Sequence, residues 1–149
     1  MIQLAYISVQ TKPLPKEVIK DILDKSITNN SQKNITGMLI FYNGTFLQVL
    51  EGPDNKVMDL YHSLKLDKRH QNLDILYKKD IQSTAFSSWS MGFVDVEEIS
   101  KKGDKDFISF FNQLKWDKDD ENKITENNIS KVKLIIDKFQ RGAWRNYIQ

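Results

Sequence analysis

Gln48 is an amide set in the middle of the apolar run Phe46-Leu47-Gln48-Val49-Leu50. A buried amide without a partner costs about 1–3 kcal/mol per group, so something polar has to meet it. Tyr6 is the natural candidate. It lies in the strand-like opening of the chain and shares one face there with Leu4 and Ser8. Such a pair can be a structural hydrogen bond between a core tyrosine and a core glutamine. It can also act on a bound group, because an amide both donates and accepts. The residue types alone leave both open.

Other chemistries find less support. The chain has no cysteine, which removes disulfides, thiol catalysis and thiolate metal sites together. His62 and His70 are badly spaced for a metal, and His62 reads as a surface position on a helix. There is no phosphate-binding glycine loop and no nucleophile elbow. Lys and Arg total 22 against 20 Asp and Glu, leaving a net charge of +2, with no basic stripe of the kind that follows a nucleic acid. Apolar residues make up 40% of the 149, enough for one domain with a real core. No run approaches the roughly 18 apolar residues of a membrane span, and the start lacks a secretory pattern. The expectation is a soluble, cytoplasmic protein without a membrane partner.

The elements that must position Tyr6 and Gln48 follow from periodicity. Residues 2–9 read as a strand, with Ala5, Ile7 and Val9 on the face opposite Tyr6. After Pro13 and Pro15 comes a helix with the stripe Val18, Ile19, Ile22, Leu23 and Ile27; the polar run 28–34 ends it as a loop. Residues 35–42 and 45–51 flank Asn43-Gly44, a strong type I′ hairpin signal. Counting outward pairs Tyr42 with Thr45, Phe41 with Phe46, Ile40 with Leu47, Leu39 with Gln48 and Met38 with Val49. One face then holds Leu39, Phe41, Phe46, Gln48 and Leu50, and the other Met38, Ile40, Leu47 and Val49. Both are apolar, so both need cover.

Pro53-Asp54 opens a second helix with Val57, Leu60, Tyr61 and Leu64 inward; strands near 73–79 and 89–96 follow. The order β-α-β-β-α-β-β predicts an α+β, ferredoxin-like sheet with an extra strand and both helices on one face. Two further helices are expected to cover the other face. One carries Phe107, Phe110, Phe111 and Leu114; the other carries Ile129, Val132, Ile136 and Phe139 and ends at Gly142. Residues 115–123 read as a solvated connector, and Trp144 and Tyr147 as a docked tail.

The segment Asn34-Ile35-Thr36-Gly37-Met38-Leu39-Ile40-Phe41-Tyr42-Asn43-Gly44-Thr45-Phe46-Leu47-Gln48-Val49-Leu50-Glu51-Gly52 closely resembles the central motif of BLUF domains, sensors of blue light using FAD. So do Leu4-Ala5-Tyr6-Ile7-Ser8, Asp67-Lys68-Arg69-His70 and Phe86-Ser87-Ser88-Trp89-Ser90-Met91, in the family's order. The resemblance implies a non-enzymatic photoreceptor holding FAD, with FMN or riboflavin as possible occupants. Residues 1–97 would be the flavin-binding core and 98–149 a helical cap and tail of the same domain.

Matched position by position, Tyr6 would be the phenol that gives an electron and proton to the excited flavin. Gln48 would bridge the phenol to the ring and rearrange its hydrogen bonds after light. Asn30, in the Asn29-Asn30 pair, would hold the ring's pyrimidine edge. Ile22 and Leu64 would sandwich the ring, with Leu39 on Gln48's face. Asp67, Arg69 and His70 would lie near the ribityl and phosphate chain. Ser63 stands where some relatives carry arginine, and Asn34 where glycine is common. Trp89 and Met91 would form the last-strand pair that transmits the signal, and Ser8, on Tyr6's face, would bond the tryptophan in some arrangements.

Other uses of such a sheet make different demands. An RNA-recognition module needs exposed aromatics on an open sheet face, where this chain has Met38, Ile40, Leu47 and Val49. A small phosphohydrolase needs phosphate donors after the first strand, where Gln10-Thr11-Lys12-Pro13 stands. A plain interaction domain is the third alternative. No effector segment is recognisable after the sensor, so a protein partner or self-association is expected to carry the output.

Overall fold

The computed structural model describes residues 1–42, 44–87, 90–101 and 125–142. In chain order these form β1 (Ile2–Gln10), α1 (Lys16–Gln32), β2 (Thr36–Tyr42), β3 (Thr45–Gly52), α2 (Asp54–Leu64), β4 (His70–Asp80), β5 (Gly92–Asp95), α3 (Val96–Ser100) and α4 (Glu126–Gln140). Among the described residues five strands make one mixed sheet in the order β4-β1-β3-β2-β5, in which the neighbours β2 and β5 are parallel and the other neighbouring pairs antiparallel. The result is an α+β fold consistent with the ferredoxin-like arrangement plus one strand.

The hairpin register is the one counted from the sequence, from Tyr42↔Thr45 to Met38↔Val49. Gly44 supplies a positive φ of 75° at the turn, while Asn43 lies outside the described residues. Gly37 answers a different need. A Cβ there would stand 2.2 Å from the Val49 carbonyl oxygen, so only glycine lets β2 come this close to β3.

Two cores sandwich the sheet. On one side Leu4, Tyr6, Leu39, Phe41, Phe46 and Leu50 pack under Ile19 of α1 and Val57 and Tyr61 of α2. On the other, Ala5, Ile7, Met38, Ile40, Leu47 and Val49 meet Val96 and Ile99 of α3 and Val132, Ile135, Ile136 and Phe139 of α4. Burying each such side chain is worth about 1.5–3 kcal/mol, enough for α4 to dock firmly. The expected helix around Phe107, Phe110, Phe111 and Leu114 lies outside the described residues, as do residues 115–123 and the tail with Trp144 and Tyr147.

Four expectations need correction. Helix α1 does not give way to a loop at Thr28 but runs on to Gln32. The hydroxyls of Ser26, Thr28 and Ser31 bond back to carbonyls of the preceding turn, so these residues are accommodated within the helix. Asn34 then stops it at φ 56°, a left-handed conformation that asparagine tolerates. Ile27 is exposed rather than on the inward stripe, which continues instead through Ser26 to the buried Asn30. Strand β4 begins at His70, earlier than expected, because pairing with β1 extends to Gln10↔His70 across irregularities and a positive φ at Asn72. Strand β5 is only Gly92–Asp95, since the Asp95 carboxylate accepts from the amides of Glu97 and Glu98 and caps the unexpected α3.

Candidate functional site

Tyr6 and Gln48 are Cα partners in the β1–β3 ladder, so their side chains leave the sheet on the same face. The Tyr6 hydroxyl donates to Gln48 Oε1. Both side chains are buried, at 1% and 6% exposure, so neither hydrogen-bonding group competes with bulk water. With its oxygen on the phenol, the amide turns its nitrogen to the Met91 sulfur at 3.9 Å. A thioether is a weak acceptor, so this half of the amide is held loosely. Burial, reinforced by Tyr61 and Asp67, pushes ionisation of the Tyr6 phenol far above its usual range. The phenol is therefore a proton donor under all ordinary conditions. The Tyr61 ring meets Tyr6 edge-on, with centroids 5.2 Å apart, and fixes its plane from α2.

Beside this pair a cleft opens between α1, the sheet and the end of α2. Ile22 of α1 and Leu64 of α2 line it, with Leu39 and Phe46 from the sheet, and Tyr6, Ser8 and Gln48 supply polar groups. Asp67, Arg69 and His70 stand at its polar end. Arg69 Nε lies 2.9 and 3.1 Å from the two Asp67 oxygens, and Nη2 lies 2.5 Å from Oδ2. The guanidinium holds the Asp67 carboxyl below the usual carboxylate range. His70 Nε2 is 2.6 Å from the Leu64 carbonyl, which can only accept, so Nε2 carries a proton. In the neutral ring Nδ1 then accepts from the Ser8 hydroxyl at 2.9 Å.

The structure thus gathers Tyr6, Ser8, Ile22, Leu39, Gln48, Leu64, Asp67, Arg69 and His70 around one cleft. Met91 adjoins it through Gln48. Asn30 is buried, and its Nδ2 donates to the Ser90 carbonyl at 2.9 Å, tying α1 to the chain just ahead of Met91. Asn29, Ser63 and His62 are exposed on their helices. Trp89 lies outside the described residues. Phe46, which the sequence puts on Gln48's face, lines the cleft too, and sequence reasoning passes over Leu14 and Ser26, which also line it. Ser26 is detectable: it falls four residues after Ile22 and four before Asn30, on one helix face. Among the described residues no group of acidic or histidine side chains is arranged to hold a metal, and no helix is long and apolar enough to cross a membrane.

The chain is 34% identical over 89 residues to the photoactivated adenylate cyclase subunit beta of Euglena gracilis, an alignment that takes in 59% of this chain and 10% of that one. It therefore spans about a tenth of the length of such curated relatives. A bacterial light-regulated adenylyl cyclase superposes with a TM-score of 0.72 at 30% identity, covering 96% of this chain and 40% of the other. BlsA in its photo-activated state superposes over 93% of this chain and 94% of its own length, with a TM-score of 0.68 at 23% identity, and so shares the fold. The family described as sensors of blue-light using FAD matches residues 1–92. The chain belongs to this BLUF family.

Proposed function

We propose that this domain senses blue light through a flavin held in the cleft, with Tyr6 and Gln48 as the photoactive pair. The observation that carries the reading is the buried hydrogen bond from the Tyr6 hydroxyl to Gln48 Oε1, at the edge of a cleft with apolar walls and a polar end. That lining fits a planar aromatic ring with a polar rim. The apolar side chains of Ile22, Leu64 and Leu39 can cover the faces, and Gln48 can meet the rim. We assign Asn29 and Asn30 to the pyrimidine edge, and Asp67, Arg69 and His70 to the ribityl side. FAD is the cofactor of the family's description. Because Ser63 offers no cation, FMN or riboflavin would lose few contacts relative to FAD.

A bound flavin supplies blue-light absorption and, once excited, oxidising power. Tyr6 is placed to give up an electron and its phenolic proton, because that proton already lies on the bond to Gln48. The Gln48 amide has two arrangements. In one, Oε1 accepts from Tyr6 and the nitrogen faces Met91. In the other, reached by rotation or tautomerisation, the group facing Tyr6 changes from acceptor to donor. Since Met91 sulfur is a weak partner, little is lost when the amide leaves it. This rearrangement alters hydrogen bonding at the cleft without moving the sheet.

We further propose that residues 98–149 act as a cap of the same domain, that the domain itself is a sensor and not a catalyst, and that a protein partner or a second copy reads the signal. The reading is tested on protein purified with ample flavin. A yellow protein whose absorption band moves slightly and reversibly to the red in blue light supports it. A colourless protein that binds neither FAD nor FMN contradicts it.

A further inference from the structure

Glu51 is fully buried, and the photoactive pair makes no use of it. It lies on β3 three residues after Gln48, and its side chain leaves the opposite face of the sheet. Its carboxylate accepts from Gln3 Nε2 at 3.0 Å, from the amides of Ala85 and Phe86 at 2.8 and 2.9 Å, and from the Thr36 hydroxyl at 3.4 Å. A buried carboxylate with this many donors is the anchor for whatever carries them.

Two structures hang on that anchor. The first is the chain that leads to Met91. Phe86, whose amide Glu51 holds, belongs to the core shared with α4. Met91, close behind it in sequence, belongs to the core of Tyr6 and touches Gln48. The second is α4. The Tyr77 hydroxyl donates to Gln3 Oε1 at 2.6 Å, and Lys133 of α4 places its ammonium 5.3 Å from the centre of the Tyr77 ring. Burial, with Glu51 nearby, raises ionisation of the Tyr77 phenol, so it remains a donor.

We propose that Glu51 is a positioning residue that sets the approach of the Met91 segment to Gln48 and couples it, through Gln3 and Tyr77, to α4. The inference rests on the photoreceptor reading above for its light-driven half. Met91, which faces Gln48, follows five residues after Phe86, whose amide Glu51 holds, and Glu51 shares its hydrogen bonds with the groups beneath Lys133. The coupling runs from one face of the sheet to the other through a single strand.

The test compares wild-type, Glu51→Gln and Tyr77→Phe proteins, all flavin-loaded and full-length. Glutamine keeps the volume but turns an N–H group toward donors. In the dark, Glu51→Gln is expected to speed amide exchange at Ala85 and Phe86, a readout independent of photochemistry. After blue light it should change the rate of dark recovery by about tenfold, the equivalent of about 1.4 kcal/mol. Tyr77→Phe keeps the ring under Lys133 and loses only the hydroxyl. It should leave the red shift intact and abolish the light-dependent change in amide exchange along α4. Wild-type recovery in Glu51→Gln overturns the first half of the proposal, and an undiminished α4 response in Tyr77→Phe overturns the second. If Glu51→Gln does not fold, Glu51→Asp, which keeps the charge but shortens its reach to Ala85 and Phe86, takes its place in both measurements with the same expected and contradicting results. A wild-type protein that binds flavin without any red shift counts against the Tyr6–Gln48 reading, and the dark exchange at Ala85 and Phe86 then judges Glu51 separately.

Discussion

Tyr6 and Gln48 stand opposite each other across the β1–β3 ladder, and the tyrosine donates to the amide oxygen while the amide nitrogen faces Met91. One side chain of the pair is a strongly held donor, and the other has a strong partner on one side only. That asymmetry gives the amide a second arrangement within reach.

Tyr6→Phe and Gln48→Leu are each expected to keep flavin bound and to lose the red-shifted state. Neither residue supplies most of the cleft's apolar wall, which comes from Ile22, Leu39, Phe46 and Leu64. Gln48→Leu should also destabilise the fold by about 1–3 kcal/mol, because it leaves a buried phenol without an acceptor. Flavin content, light-minus-dark absorption and urea unfolding check the three claims. A normal red-shifted state in Tyr6→Phe would show that the electron donor lies elsewhere.

Asn30→Ala should act on retention of the cofactor. The side chain is buried at the end of α1 and bonded to the Ser90 carbonyl, so its loss frees the approach to Met91 and removes the proposed contact to the ring edge. One neutral hydrogen bond is worth about 0.5–1.5 kcal/mol, which weakens flavin affinity by up to about tenfold. Titration of the flavin-depleted protein reads this directly. Unchanged affinity would remove Asn30 from the cofactor's contacts.

High pH should unfold the protein through its buried phenols. Tyr6 and Tyr77 both ionise above their usual range when folded, because burial disfavours the phenolate. An unfolded tyrosine ionises near pH 10, so the unfolded state loses protons first as the pH rises. The stability these phenols contribute is intact below about pH 10 and lost progressively above it. Urea unfolding from about pH 8 to about pH 11 should show that decline, and Tyr6→Phe should make it shallower. An equally steep decline in Tyr6→Phe would mean that Tyr6 is not held in its protonated form.

The parts of the fold that follow a strict period are legible in the amino-acid sequence. The Asn43-Gly44 turn and alternating burial specify the hairpin register, and with it the face shared by Leu39 and Gln48. Placing Tyr6 against Gln48 needs only the cost of an unpaired buried amide. Features without a period escape such reasoning. The inward face of α1 turns polar at Ser26 and Asn30, so an apolar stripe drawn through Ile27 misses it. The cap at Asp95 lies inside what reads as a continuous strand. The burial of Glu51 is not marked locally, because its donors come from Gln3, Ala85 and Phe86, far away in sequence. Long-range polar contacts of that kind leave no local mark.

The central claim is that the Gln48 amide changes its hydrogen-bonding arrangement after light, and a light-minus-dark infrared difference spectrum tests it most directly. Protein carrying isotope-labelled glutamine should show a side-chain carbonyl band that moves on illumination and returns in the dark. That band should be absent from Gln48→Leu. A normal red shift with no labelled-glutamine band, or the same band persisting in Gln48→Leu, would contradict the account.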